Sequence, residues 1–206
     1  MFLTDLVPGF DKYASGFNGK ATSLRAYPAG PANRWNLVPA WIVFADDTGT
    51  SMTLLQADLL AKGMAVADPT LANAPCAEVL LAAEQSARDG RLGQWEAQKV
   101  YSTRAPKMLI EKAGTHVLIE GRIVSLGKTA RTRYLNFGHH WKSDLTAILS
   151  IGDEPAFVPA LEKKGVSMDD LAGRAVRIRG YVEVRDGPLI RLSHPGQLEI
   201  LDGRGK

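Results

Sequence analysis

The residues best suited to do chemistry lie between positions 128 and 141. Lys128, Arg131 and Arg133 precede Tyr134, Phe137, His139, His140 and Trp141. A single-stranded nucleic acid is held by this mixture, with cations on the phosphates and aromatic rings under the bases. Arg177 and Arg179 share one face of a later predicted strand, and Arg191 follows on the next. In Tyr134-Leu135-Asn136-Phe137, the two-residue period of a strand separates Tyr134 and Asn136 from Leu135 and Phe137. This assigns Tyr134 to a groove and Phe137 to the core. The competing reading is a solvated basic face on a structural barrel, because positive charge alone is nonspecific.

Other constellations point away from catalysis. His139 and His140 are neighbours on a predicted strand and so face opposite ways, with no cysteine or carboxylate cluster beside them. Zinc usually takes three or four protein ligands. Asp46-Asp47 reads as a turn, and one acidic pair does not supply the six to eight oxygens that calcium prefers. Glu84 and Arg88 are spaced i, i+4 and read as an intrahelical ion pair or a helix-to-core anchor. Cys76, the single cysteine, sits among apolar residues and reads as a small buried hydrophobe. His194 before Pro195 reads as a turn residue. No catalytic residue, metal ligand or cofactor is assigned.

The chain has 206 residues, 45% of them hydrophobic and 23% charged, as expected of one or two globular domains. Its net charge of +3 is uneven. Residues 1–105 carry 9 Lys/Arg against 10 Asp/Glu, and residues 106–206 carry 16 against 12. The basic second half suits a polyanion. No apolar run approaches the ~20 residues of a membrane span. The first residues lack the order of a secretory signal. That places the chain in the cytoplasm as it stands, and in the periplasm or outside the cell if the true start lies upstream.

The elements that must position these residues change character along the chain. Residues 5–18 are compatible with a short helix, followed by strands over Lys20–Tyr27 and Leu37–Ala45, with Pro39 implying an edge or a bulge. Leu54, Leu55, Leu59 and Leu60 form a helical stripe that Gly63 stops. A second helix over Ala77–Arg88 is predicted to bury Val79, Leu80, Ala83 and Ala87, with Trp95 as an anchor after Gly93. Residues 97–113 read as a connector. Strands are then predicted over His116–Ser125, Tyr134–Phe137, Leu145–Ile151, Ala175–Arg185 and Leu189–Leu192, with a helix over Phe157–Leu171. Three strands, a helix and two strands are the order of the five-stranded oligonucleotide-binding (OB) barrel. Gly121 and Gly180 fall at strand bends, and Asp186-Gly187 at a hairpin turn.

The string NRWNLVPAWIVFADDTGTSMTLLQADLLAKGMAVADP, with AEQSARDGRLGQWE after it, resembles the thermonuclease (staphylococcal-nuclease-like) family over about residues 15–97. The features that carry the likeness are Asn33–Trp35, Pro39–Ala45, Leu59–Ala65, Glu84–Arg88 and Gly93–Trp95. The resemblance implies a partial barrel of OB type with two or three helices. It also implies a lost activity. The family cuts phosphodiesters with aspartate-held Ca²⁺, a glutamate and two arginines, yet the chain has no Asp-Gly-Asp-Thr turn. Leu37 stands where the second arginine belongs, and Arg34 matches a non-catalytic position.

The expected fold is therefore α+β: a partial thermonuclease-like barrel over 1–105, then a five-stranded OB-like barrel over 106–206. The second half is also similar to accessory nucleic-acid-binding barrels of bacterial proteins. Three functions follow as expectations. One is a non-catalytic protein binding single-stranded nucleic acid through its second barrel. Another is a Ca²⁺-dependent nuclease seen as an incomplete product, and the last is a structural or interaction module. Half a barrel leaves strand edges open, which implies a misassigned start, cover by the second domain, or a covering partner such as a second copy.

Overall fold

In the computed structural model, the described residues are 2–8, 24–45, 51–97, 100–140 and 142–201. The chain divides into two compact units, Met1–Gln98 and Lys99–Lys206. No helix among the described residues is long and apolar enough to cross a membrane.

The first unit opens with two short strands, β1 (Phe2–Leu3) and β2 (Leu6–Pro8). The helix expected from residue 5 is therefore not formed over 5–8; residues 9–18 lie outside the described residues. Asp5 has φ +60°, which an α-helix cannot contain, and its buried carboxylate accepts from the amides of Leu71 (2.5 Å) and Ala72 (2.9 Å). Strands β3 (Leu24–Pro28), β4 (Pro39–Ala45) and β5 (Met52–Leu54) follow, then α1 (Leu55–Ala61), β6 (Ala65–Ala67) and α2 (Ala74–Asp89). Strand β4 pairs antiparallel with β3 on one side. On its other side it pairs with β1 at Pro39–Ala40 and with β5 at Val43–Ala45. The gap between these two partners is filled by Gln56, which is fully buried. Its amide donates to the Ala40 carbonyl (2.8 Å) and accepts from the Ile42 amide (3.2 Å). Pro39 takes the first position of its strand, where a missing N–H costs least.

The residues that carry the thermonuclease likeness converge on packing. Gly63 and Gly93 both have positive φ (+66° and +56°), and the Gln94 amide donates to the Gly63 carbonyl (2.9 Å). A Cβ on Gly63 would collide with the Leu92 carbonyl, and one on Gly93 would lie 2.5 Å from the Gly63 oxygen. Glu84 is wholly buried, accepting from the Ala67 amide and from Arg88 Nη1, both at 2.7 Å. Arg88 in turn lies over the Trp95 ring at 5.7 Å. The i, i+4 pair is thus an ion pair and a helix-to-core anchor at once. The apolar face of α2 uses Ala77, Leu80 and Ala87, while Val79 is exposed, contrary to expectation. Helical spacing explains this, since Val79 falls off the 77–80–84–87 stripe. Cys76 is likewise exposed rather than buried. It sits in the first turn of α2, where its amide donates to the Asn73 side chain (3.0 Å). Asp46 and Asp47 lie outside the described residues.

The second unit begins with β7 (Tyr101–Ser102) and α3 (Pro106–Ile110), inside the segment expected to be a bare connector. Its barrel comprises β8 (His116–Arg122), β9 (Ser125–Lys128), β10 (Thr132–Asn136), β11 (Thr146–Ser150), α4 (Glu154–Glu162), β12 (Ala175–Val184), β13 (Pro188–Leu192) and β14 (Leu198–Ile200). The sheet order is β7-β8-β12-β13-β11-β10-β9, with β14 also on β12. Strands β8 and β9 are two halves of one bent segment. The first half pairs with β12 and the second with β10, so the sheet curls back to its start. Strands β11 and β13 are parallel, as are β7 and β8, and the other pairs of this sheet are antiparallel. This is the strand order of an OB barrel, with α4 between the third and fourth strands. The helix expected over Phe157–Leu171 is shorter, because the chain turns at Gly165 (φ +66°) before a 3-10 turn at Asp169–Leu171.

The barrel interior is apolar, built around Ile119, Leu135, Leu149, Phe157, Val176, Ile178 and Ile190. Arg133 also points inward from β10 and is 4% exposed. It binds Glu154 at the start of α4 (2.8 Å) and Asp169 (2.6 Å). The hydrogen bonds that Arg133 donates to Glu154 hold the Glu154 carboxyl below its usual range and raise Arg133. A lowered carboxylate pKa stabilises the fold above the ordinary value, near pH 4.5, and this contribution is lost as pH falls through the folded-state value. Gln197, also buried, accepts from the Ser193 (2.8 Å) and His194 (3.0 Å) amides and donates to the Arg179 and Arg191 carbonyls, joining β12 to β13 beside the Gly180 bend.

Two stability predictions follow from these contacts. Gly63→Ala should destabilise the first unit by about 2–3 kcal/mol, seen as a lower urea midpoint in tryptophan fluorescence. Glu154→Gln should cost about 1–3 kcal/mol at pH 7. That difference from the parent should shrink as pH falls below the ordinary carboxyl value of 4.5, in denaturant titrations read by circular dichroism.

Candidate nucleic-acid interface

The outer face of β9, β10, β11 and β13 carries two of the sequence-selected residues, Tyr134 and Arg191. Registers place Gly127, Tyr134, Ile148 and Arg191 in one row across four strands. Tyr134 is half-buried and lies against Gly127, where a Cβ would sit 3.4 Å from the tyrosine Cβ and 3.7 Å from its ring. The glycine therefore lets the ring lie along the sheet. Ser125, Asn136 and Thr146 form the next row, with Asn136 Nδ2 donating to Ser125 Oγ (3.1 Å). Arg191 is exposed at the end of the first row and is paired with Glu183 (3.1 Å). The resulting surface has a flat aromatic ring, an aliphatic neighbour and small polar groups, an arrangement that can stack one base and hydrogen-bond beside it.

The turn between β9 and β10 sets the rim. The Thr129 hydroxyl accepts from the Thr132 amide (3.1 Å), and the Ile151 amide donates to the Arg131 carbonyl (3.0 Å). This fixes the backbone while leaving the Arg131 side chain exposed, with no ion pair among the described residues. Lys128 is also exposed, but it stands opposite Arg133 in the ladder and, like it, reaches Glu154 (3.8 Å), so it lies on the Arg133 side of the sheet, away from Tyr134.

Three of the selected arginines lie elsewhere. Arg133 is on the opposite, inward face and closes the end of the barrel. Arg177 and Arg179 do share a face of β12, but they are 8% and 0% exposed. Arg177 binds Glu120 (2.6 Å) and Glu199 (3.1 Å), and Arg179 binds Glu199 (2.5 Å). Guanidiniums buried in this way hold neighbouring strands together and present little charge to a ligand. Sequence pattern did not separate them from Arg131, because the carboxylates that bind them are distant along the chain.

His139 is exposed in the β10–β11 loop, at the other end of β10 from Arg131. That loop is closed by Asp144, which accepts from the His140 amide (2.9 Å) and packs under Gly138, where a side chain would collide with it. Trp141 lies outside the described residues. Phe137 is buried, as its alternation with Tyr134 predicts. The face includes residues that sequence reading missed: Ile148 and Ser125 as its floor. Period-2 alternation offered a signal for Ile148, but its place beside Tyr134 required the register.

No protein-family model and no curated protein matches this chain. Solved structures similar to it include an OBody, AM1L10, bound to hen egg-white lysozyme, at 24% identity and a TM-score of 0.31 over 44% of this chain and 83% of that one. An aspartyl-tRNA synthetase from Entamoeba histolytica is similar at 12% identity and a TM-score of 0.34, over 50% of this chain and 21% of the synthetase. An asparaginyl-tRNA synthetase from Pyrococcus horikoshii gives 17% and 0.31, over 44% and 20%. This chain thus spans about a fifth of either synthetase, and its OB architecture rests on the strand order of the second unit.

Proposed function

We propose that this protein binds single-stranded nucleic acid on the β9–β10–β11–β13 face of its second unit, and that its first unit is a non-catalytic scaffold of thermonuclease-like ancestry. The observation that carries the reading is the row Gly127-Tyr134-Ile148-Arg191 with the unpaired Arg131 at its rim. OB barrels use this face for oligonucleotides. Stacking on Tyr134 supplies sequence-tolerant affinity, and Arg131 and Arg191 supply phosphate contacts. Arg133, Arg177 and Arg179 act as internal struts in this reading, while His139 and Trp141 are candidates for the far end of the strand's path.

The scaffold role of the first unit is supported by what its motif residues do. Gly63, Gly93, Glu84, Arg88 and Trp95 are engaged in packing and hydrogen bonds. Leu37, at the position of the family's second phosphate-binding arginine, is an exposed side chain that cannot pair with phosphate.

A structural role without a ligand is the second reading, favoured by the burial of three of the candidate arginines. Fluorescence anisotropy with a labelled single-stranded oligonucleotide separates the two. Binding should weaken with salt, with a log–log slope of roughly −1.4, corresponding to about two phosphate contacts. Tyr134→Ala should reduce affinity by about 1–3 kcal/mol, and Arg131→Glu should flatten the slope. Absence of binding at low salt overturns the proposal. Incubation with Ca²⁺ and DNA should give no cleavage; calcium-dependent digestion would restore the nuclease reading.

A further inference from the structure

Strand β3 is the least covered element of the first unit. All five of its residues are exposed, with Leu24 at 57% and Tyr27 at 49%. It pairs with β4 along one edge, and no described residue pairs with the other. Which backbone groups face that open edge follows from the ladder. The Ala29 amide donates to the Pro39 carbonyl (2.8 Å), so Ala29–Pro39 is a hydrogen-bonded pair. By alternation, Tyr27–Trp41 and Arg25–Val43 are hydrogen-bonded pairs too. The bonds of Ala40 and Ile42 to Gln56, on the far side of β4, agree with this phase. The outward groups of β3 are therefore the N–H of Leu24 and Ala26 and the C=O of Leu24, Ala26 and Pro28. Pro28 has no N–H to offer.

This edge is complementary to its own antiparallel image. With Ala26 opposite Ala26 of a second copy, the two alanines exchange both hydrogen bonds. Each Leu24 N–H then meets the Pro28 carbonyl of the other copy, and every outward donor is satisfied. Side chains match as well. Arg25 falls opposite Tyr27, a cation–aromatic pair formed twice, and Leu24 falls opposite Pro28. No like charges meet. Shifting the antiparallel register by two residues one way sets Arg25 against Arg25, and the other way puts Pro28 opposite Ala26 and leaves the Ala26 carbonyl without a donor. An edge without a partner among the described residues also favours pairing in its own right.

We infer that β3 is a dimerisation strand, which joins two copies of this chain by antiparallel β-addition centred on Ala26. The interface is small, so the dimer forms at roughly micromolar or higher concentration.

Sedimentation equilibrium of the full chain from about 1 to 100 μM should show a monomer–dimer equilibrium. Ala26→Pro removes the central donors without touching a bond to β4, and should raise the dimer dissociation constant at least about tenfold, with an unchanged circular dichroism spectrum. Cross-linking gives a second measurement should that variant unfold. In a Cys76→Ser background, Ala26→Cys should form a disulfide-linked dimer under mild oxidation, since directly opposed residues in such a pair lie about 5.5 Å apart. Val79→Cys, on the exposed side of α2, should not. A chain that stays monomeric at about 100 μM, a dimer unaffected by a folded Ala26→Pro, or equal cross-linking through Val79→Cys would each overturn the inference.

Discussion

The second unit depends on one continuous segment, residues 116–128, satisfying two different strands. Its first half is bonded to β12 and its second half to β10, and the bend between them turns an open sheet into a barrel. Backbone groups left unpaired in a curled sheet are costly, so this division of hydrogen bonds fixes the positions of the other strands. Gly121 stands within the bend segment, packed so closely on Thr103 that a side chain would collide with it. The candidate binding face is a consequence, because β9 and β10 lie side by side only after the segment has turned.

Polar side chains extend the same principle to places where strands run out. Gln56 stands in for a neighbouring strand between β1 and β5, and Gln197 bridges β12 to β13. A primary amide can do this because it carries both a donor and an acceptor in peptide-like geometry. The buried arginines act differently. Arg133, Arg177 and Arg179 bring charge into the protein and are tolerated because carboxylates from other elements meet them. Such pairs add specificity of register, since a slipped strand would leave a buried charge without its partner.

Sequence-level reasoning found the strand–strand–strand–helix–strand–strand order of the second unit because its signals are local. Alternation in Tyr134–Phe137, the Asp186-Gly187 turn (Asp186 φ +62°) and the Gly180 bend each leave their mark within a few residues. It mistook Asp5–Pro8 for part of a helix, because β2 exists through its pairing with distant β6. It missed β5, β6, β7 and β14 for a similar reason: strands of two or three residues have too few side chains to display a period. Helical spacing read from sequence turns Val79 and Cys76 inward, whereas the observed stripe and the start of α2 put them outward.

By itself the sequence determined the fold class, the buried alternation of Leu135 and Phe137, and the glycines needed at tight approaches, since these follow from local sterics and hydrophobic spacing. The tertiary structure alone decided which arginines are solvent-facing. Arg131, Arg133, Arg177, Arg179 and Arg191 are chemically identical, and only long-range pairing with Glu154, Glu120 and Glu199 buries three of them while leaving Arg131 and Arg191 at the surface. Burial of a charge depends on where its counter-charge arrives in space, and that distance is not written in the spacing of residues.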